Sequence, residues 1–385
     1  VNQLEGGGAG AVPAVHQFVP ALIPRDATGN HTLLLQDALR RAGWRSEIFA
    51  EATHDELVGR TRRVEDYPGM SQPGDVLIYQ FSTSSMVAEL LATRPEPLIL
   101  NYHNVTAPDL YGSWDPPAAA RSAEAGRQLA ELAPRAALGL ADSAYNARDL
   151  VAAGCAHTAV APVLFDPERA VAAPDPRTAA RLERERAGGG CDWLFVGRLV
   201  PPKAQHLLVE ALWAYRRLYD PTARLHLVGS APSRRYLTAL RGLADDLGLG
   251  SAVRVHGEIT DAALAAVYAA ADVYVSLSAH EGFGIPLLEA SRAGLAVVAL
   301  GVAAVPETMG DAGLLVATAE PVPVAAAVHR VLTDERLRRG LVAAGRRRLA
   351  AHSPAAAGRR VVDAVATVAG APPGDRVPAT SEAER

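Results

Sequence analysis

The sequence predicts an α/β protein of two doubly wound domains. Short apolar runs of strand length alternate with helix-length amphipathic segments from Val12 to Leu164, and the alternation restarts at Asp192 and continues to Val316. Between the two runs, residues 166–190 carry several prolines and end in Gly-Gly-Gly, the composition of a linker. A length of 385 residues also suits two domains.

The first run is expected as follows. Val1 to Gly10 contains EGGGAG, but no strand precedes it, so it reads as a flexible lead-in and not as a dinucleotide loop. Val12–Val19 is the first strand and Pro20–Gly29 a loop. Asn30 caps a helix over His31–Ala42 that stops at Gly43, with Leu34, Leu35, Ala38 and Leu39 at helical spacing. Ser46–Ala50 is a strand, Thr53 caps a short helix, and Arg60–Pro73 is a polar connection whose clustered arginines read as a solvated surface. Strands follow at Val76–Phe81, Leu98–Tyr102 and Ala137–Ala141, with helices at Ser85–Ala92, Ala118–Ala133 and, capped by Ser143, Ala144–Ala153. The Pro-rich Ala107–Pro117 is a loop long enough to wall or cover a cleft. Val160–Leu164 closes the first domain, residues 1–165.

The second domain, residues 191–352, repeats the pattern. Strands are expected at Asp192–Val196, Arg224–Val228, Val253–His256, Val273–Leu277, Ala296–Leu300 and Leu314–Val316. Helices are expected at Ala204–Tyr219, Arg234–Leu247, Asp261–Ala270 (capped by Thr260), Val322–Leu332, Arg336–Ala350 and Pro354–Thr367. The tail, 371–385, is Pro-rich and charged and reads as disordered.

The chain is 49% hydrophobic and 21% charged with a formal net charge of −4, the balance of a globular protein and not of a nucleic-acid binder. Two cysteines, Cys155 and Cys191, allow neither a disulfide framework nor a zinc site of their own. No apolar run is long enough to span a bilayer and no signal-peptide pattern is present, so a cytoplasmic location is the expectation, with peripheral contact at the inner membrane face left open. Of 38 Lys and Arg residues, Lys203 is the only lysine. In a chain this biased toward arginine, that residue suggests a task suited to a compact point charge, such as contact with a phosphate oxygen.

The stretch His280–Ala290, HEGFGIPLLEA, follows a buried-looking strand and opens a helix. Gly282 and Gly284 permit close backbone approach, and Pro286 suits the first helical turn. The free N–H groups of Gly282 to Ile285 and the positive helix end make an anion site, most simply for a phosphate. Glu289, about one turn into the helix, would repel a phosphate but could accept from vicinal hydroxyls, as on a ribose. A plain strand–loop–helix with Glu281 and Glu289 on a solvated face is the competing reading. His103, at the carboxyl end of its strand, lies where open α/β sheets bind ligands, although a strand-end histidine is often only a structural hydrogen-bonder.

Glu281 and Glu289, with seven residues between them, resemble the E-x7-E motif of the retaining glycosyltransferases of family GT4. VGRLVPPK, Val196–Lys203, resembles that family's G-R-x-x-x-x-K phosphate loop about eighty residues upstream. The two motifs together are fairly specific and cover the C-terminal half. DATGNH, NYHN and ADSAYNARDL resemble the family less sharply. The resemblance implies a GT-B architecture, two Rossmann-like domains facing across a cleft, with residues of about 353–370 crossing back to the first. It implies an acceptor-side first domain and a nucleotide-sugar donor domain over 191–352. It implies Gly197, Arg198 and Lys203 at the diphosphate, with Gly282, Phe283, Gly284, Ile285 and Leu287 lining the donor and Glu289 on the ribose. Glu258, Ile259 and Asp261 would lie at the base. Glu281 would meet the donor sugar or orient Lys203, His103 would face the sugar, and Gly29, Asn30 and Asn104 would lie on the acceptor side.

Breaking an anomeric C–O bond to a diphosphate needs fixed positive charge at the leaving group. Arg198, Lys203 and the helix end could supply it without a metal, and the chain has no Asp-x-Asp motif. The expected function is metal-independent, retaining transfer of a sugar from a nucleotide-diphosphate sugar to a hydroxyl acceptor: a glycan, a lipid-linked or a small molecule. No cofactor, metal or nucleic-acid partner is expected. A GT-B sugar-nucleotide epimerase and a non-catalytic nucleotide-sugar binder are the alternatives. A dehydrogenase is disfavoured because no G-x-G-x-x-G follows a strand.

Overall fold

A computed structural model describes residues 14–24, 26–165 and 172–372. The lead-in 1–10, the start of the expected first strand, most of the tail and residues 166–171 lie outside them.

The first sheet contains β1 (Val15–Leu22), β2 (Ile48–Thr53), β3 (Arg62–Arg63), β4 (Val76–Phe81), β5 (Leu98–Tyr102), β6 (Leu138–Ala141) and β7 (Thr158–Val160). All pair in parallel, in the order β3-β2-β1-β4-β5-β6-β7. Parallel strands covered on both faces are mostly apolar, and β4 and β5 are buried at every residue, including the polar Gln80 and Asn101. Helices α1 (Ala27–Arg41), α2 (Met86–Ala92), α3 (Pro116–Leu132) and α4 (Ala144–Ala152) connect them.

The second sheet contains β8 (Asp192–Val196), β9 (Arg224–Val228), β10 (Val253–Gly257), β11 (Val273–Ser276), β12 (Ala296–Leu300) and β13 (Gly313–Val316), in the order β10-β9-β8-β11-β12-β13, again parallel. It is preceded by α5 (Pro176–Arg186) and carries α6 (Gln205–Leu218), α7 (Arg234–Asp246), α8 (Asp261–Ala270), α9 (Ile285–Arg292), α10 (Val305–Met309), α11 (Pro321–Thr333) and α12 (Glu335–Ala351). The last helix, α13 (Pro354–Ala369), returns to the first domain. There Ala357, Val361 and Val365 join Val15, Leu35, Leu39 and Trp44 in one apolar cluster. Two Rossmann-like sheets with a returning helix are the GT-B architecture that the motifs implied.

In each sheet the strand order reverses once, between β1 and β4 and between β8 and β11. Ligands of doubly wound sheets bind beyond the carboxyl ends of the strands at such a reversal. At the second reversal stand the loops that follow β8 and β11, which carry Arg198, Lys203 and Glu281.

Several boundaries differ from expectation, each for a local reason. Asn30 does not cap the first helix. Asp26 does, accepting from the Gly29 N–H at 3.1 Å, and α1 therefore starts at Ala27, with Asn30 inside it. The first strand runs on to Leu22, and the second strand is shifted to Ile48–Thr53 by its register against β1. His54, not Thr53, caps the short 3₁₀ turn Asp55–Arg60. The ladder of the first sheet ends at Val160, so only the start of Val160–Leu164 is strand. The expected linker holds a helix: Asp175 caps α5, Pro176 occupies its first turn, and α5 packs against α8. The loop Ala107–Pro117 is not open coil but contains two 3₁₀ turns, Pro108–Leu110 and Gly112–Trp114.

Candidate functional site

The donor-side loops are built on glycines where strands end. Gly197 N–H donates to Val228 O, and Gly229 N–H to Gly257 O, at 2.9 Å each. Gly229 has φ +139°, and a Cβ there would stand 2.2 Å from Gly197 O, so only glycine lets these two turns stack. The next residue, Arg198, is exposed, and its carbonyl is held by Gln205 Nε2 at 2.9 Å. Lys203 ends a 3₁₀ turn whose Pro202 carbonyl accepts from Ala279 N–H, tying this loop to the one after β11.

Across that tie, Lys203 Nζ lies 2.7 Å from Glu281 Oε1, with side chains 24% and 12% exposed. Glycine is required at 284, where φ is +93° and the N-cap of α9 forms. Pro286 lies in the first turn of α9, whose leading N–H groups have no partner within the helix, and the loop that carries Glu281 leads into this helix end. Glu289 projects from α9 and accepts from the Tyr268 hydroxyl at 3.1 Å. Burial pushes the Glu289 carboxyl up, Tyr268 and Arg292 pull it down, and Asp261 pushes it up. Asp261 opens α8, close in sequence to the exposed Glu258 and half-buried Ile259, and its charge is felt at Glu289.

Two of the expected donor-lining side chains do not face the cleft. Phe283 is packed with Val163, Phe165 and Leu288, and its carbonyl accepts from Thr308 Oγ1 at 2.5 Å. Leu287 is in the core beneath α9. Apolar side chains in this motif anchor the helix, and their backbone is what the loop presents.

On the first domain, His103 follows β5 with only 5% of its side chain exposed. Its Nδ1 lies 2.9 Å from Asp142 Oδ2, and its Nε2 lies 2.7 Å from Gln80 Oε1. Both ring nitrogens are therefore engaged within the protein. Gln80 in turn donates to Gln17 at 2.7 Å and accepts from Asn101 at 2.9 Å, a polar chain buried inside three strands. Burial pushes the Asp142 carboxyl up, and the His103 ring pulls it down. The residue that leaves polar atoms open here is Asn104, whose Oδ1 and Nδ2 are buried with no hydrogen-bond partner among the described residues. Its backbone is left-handed, φ 75°, a cost usually met only where function requires it. Gly29 and Asn30 sit in the first turns of α1, ahead of His31, whose ring packs edge-on to His103 at 4.9 Å.

The two halves meet directly. A Cβ on Gly282 would lie 2.6 Å from the Asn104 Cβ. Ser143 Oγ donates to Gly282 O at 3.0 Å, and Trp114 O accepts from Ser233 Oγ at 3.1 Å, so the expected wall loop touches the second domain. His280 packs edge-on to Tyr145. Sequence reasoning passed over Gln80 and Tyr268, and it gave no site role to Asp142 or to Ser143, which it read only as a helix cap. The signal for Gln80 was a lone amide in an otherwise apolar parallel strand. Among the described residues, no group of His, Cys, Asp and Glu is arranged to hold a metal, and no helix is long and apolar enough to cross a membrane.

Residues 190–334 match the family model described as Glycosyl transferases group 1. The chain is 38% identical over 248 residues to a D-inositol 3-phosphate glycosyltransferase of Geodermatophilus obscurus, a match covering 62% of this chain and 52% of that protein. It is 38% identical over 183 residues to a GDP-mannose-dependent alpha-(1-6)-phosphatidylinositol monomannoside mannosyltransferase of Mycobacterium tuberculosis, covering 45% of this chain and 46% of that one. The chain thus spans about half the length of these curated relatives. Among solved structures, it resembles Anabaena HepE in complex with UDP-glucose (TM-score 0.73, 19% identity, 92% of this chain and 99% of that one). It also resembles the sucrose-phosphate synthase of Thermosynechococcus elongatus (TM-score 0.72, 20% identity, 92% and 98%). These structural likenesses extend over both domains and concern the fold.

Proposed function

From the match of residues 190–334 to the group 1 glycosyl transferase model, we propose that this chain moves a sugar from a nucleoside-diphosphate sugar to a hydroxyl acceptor, with retention and without a metal. The observation that carries the reading is the Lys203–Glu281 pair at 2.7 Å, set between a glycine-built loop and the N-terminus of α9 at the strand-order reversal. In the reaction the bond from the anomeric carbon to the diphosphate oxygen breaks and a bond to the acceptor oxygen forms. The electron pair leaves on the diphosphate, and the acceptor proton passes to the leaving group or to solvent. Arg198, Lys203 and the leading N–H groups of α9 stabilise the leaving charge. Glu281 holds Lys203 in place, and Asn104 supplies the open amide toward the sugar or the acceptor. His103 acts as a buttress, locked by Asp142 and Gln80, and not as an attacking group. The GDP-mannose-dependent relative supports GDP as the nucleotide, with UDP as the second candidate to test, and the names of both relatives support an inositol-bearing acceptor. The reaction is proposed to take place in the cytoplasm or at its membrane face.

The test is a thermal-shift panel of nucleotide sugars run with and without EDTA. A donor at a hundred times its Kd stabilises by about 2.7 kcal/mol through mass action, and the shift should survive chelation. A panel in which no nucleotide sugar raises the melting point would end the donor reading. A shift lost with EDTA and restored by magnesium would end metal independence.

Glu289 is assigned to the ribose. An ionised carboxylate accepts from vicinal hydroxyls, and a charge-assisted bond is worth about 1.5–3 kcal/mol. Glu289→Ala should therefore weaken nucleotide binding by roughly ten- to hundred-fold. A 2′,3′-dideoxy nucleotide should bind wild type and variant about equally by calorimetry. Equal weakening of both ligands would remove Glu289 from the ribose.

A further inference from the structure

Consecutive residues at the start of α4 each reach a different part of the cleft. Asp142 holds the His103 ring. Ser143 donates to the carbonyl of Gly282 in the other domain. The N–H of Ala144 donates to both carboxylate oxygens of Glu307, at 2.9 and 2.8 Å, again across the domain boundary. The next residue, Tyr145, packs edge-on to His280. Helix α4 already has its own cap, since Ser143 Oγ accepts from Asn146 N–H at 3.1 Å. Glu307 is therefore not needed to start the helix. It adds a negative charge at the positive helix end, and it comes from the opposite domain.

Glu307 also sits on a backbone fixed to the donor loop. Arg348 of α12 donates to the carbonyls of Glu307 and Thr308, and Thr308 Oγ1 donates to Phe283 O, inside HEGFG. A shift of α4 relative to Glu307 thus moves Asp142 and Ser143 relative to the donor loop.

We propose that Glu307 is a positioning residue that closes the cleft by gripping the N-terminus of α4, and so sets His103 and Asn104 against the Gly282 loop. As a statement about catalysis this rests on the glycosyl-transfer reading; as a statement about closure it stands on the contacts alone. A carboxylate at a helix N-terminus contributes about 0.5–2 kcal/mol, a two- to thirty-fold bias toward the closed form.

The test compares full-length wild type, Glu307→Ala and Glu307→Gln. Small-angle scattering should give a larger radius of gyration for Glu307→Ala, with Glu307→Gln between it and wild type because one acceptor oxygen remains. Calorimetric titration with UDP and with GDP should show affinities equal to wild type, because Glu307 touches no donor group. In release of nucleoside diphosphate from the matching nucleotide sugar, kcat should fall by about two- to thirty-fold with KM for the donor unchanged. Glu307→Ala as compact as wild type, or with unchanged kcat, would overturn the assignment. If neither UDP nor GDP binds the wild type, the donor reading falls, and the scattering comparison still decides whether Glu307 closes the cleft.

Discussion

Replacing Lys203 with alanine is expected to lower the rate of nucleotide-sugar turnover by on the order of 10²–10³-fold, the loss typical of a fixed charge-stabilising group. The structure makes the effect larger than the removal of one cation. Lys203 Nζ is 2.7 Å from Glu281, whose side chain is only 12% exposed. Without the lysine, that carboxylate is left half-desolvated and unpaired beside an incoming diphosphate, and it repels the ligand it previously helped to bind. The two effects separate in a double-mutant cycle. Lys203→Ala/Glu281→Gln should recover part of the lost affinity for UDP or GDP while recovering little of the turnover, because neutralising Glu281 removes the repulsion but restores no cation. Lys203→Arg should also fall short of wild type, since a planar guanidinium cannot replace a point charge packed against Glu281. Steady-state release of nucleoside diphosphate measures turnover and calorimetry measures affinity. Near wild-type turnover in Lys203→Ala would remove the residue from the chemistry.

How much of this was legible in the sequence depends on what each feature needs. Strands such as Val76–Phe81, Leu98–Tyr102 and Arg224–Val228 announce themselves because a parallel strand covered on both faces is mostly apolar, with only single polar residues such as Gln80 and Asn101 interrupting the run. The caps Ser143 and Thr260 were legible because a short polar side chain ahead of an amphipathic run has one local use. Where two candidates compete, local chemistry does not choose. Asp26 and Asn30 can both cap, and the extension of β1 to Leu22 decides for Asp26. The helix at Pro176–Arg186 carried a fair signal, Asp-Pro followed by a helix-forming run, but the neighbouring prolines and glycines outweighed it. The nearness of Lys203 and Glu281 was one of the two placements that the family resemblance implied for Glu281. The roles of Asp142, Ser143 and Glu307 were not legible, because each is defined by a partner in another part of the fold. A lone amide such as Gln80 or Asn101 stands out in its apolar strand, but its partners appear only when the three strands around it are assembled.

Gly282→Ala is the substitution expected to cost the most for the least chemical change. The glycine is not needed for an unusual backbone angle, since its φ lies outside the left-handed region. What it provides is space. An added Cβ would stand 2.6 Å from the Asn104 Cβ and 3.2 Å from both Asn104 Nδ2 and His103 O, all on the other domain. The second domain alone has room for the methyl group, so melting temperature and the affinity for UDP or GDP should stay near wild type. The closed cleft does not have room. Relieving a carbon–carbon contact of 2.6 Å to ordinary van der Waals distance requires the halves to part by about 1 Å, and a misplacement of that size can cost on the order of 10² in rate. Turnover should therefore fall about hundred-fold with binding intact. Asn104 offers the control, because its left-handed backbone at φ 75° accepts glycine without strain. Asn104→Gly removes the Cβ that the new methyl group would strike and lowers activity through loss of the amide. In that background, adding Gly282→Ala should cost only a few-fold more, since the wedge has lost its main opponent. If Gly282→Ala instead lowers the rate equally in both backgrounds, the contact with Asn104 is not what Gly282 preserves, and the loss must come from the donor loop itself.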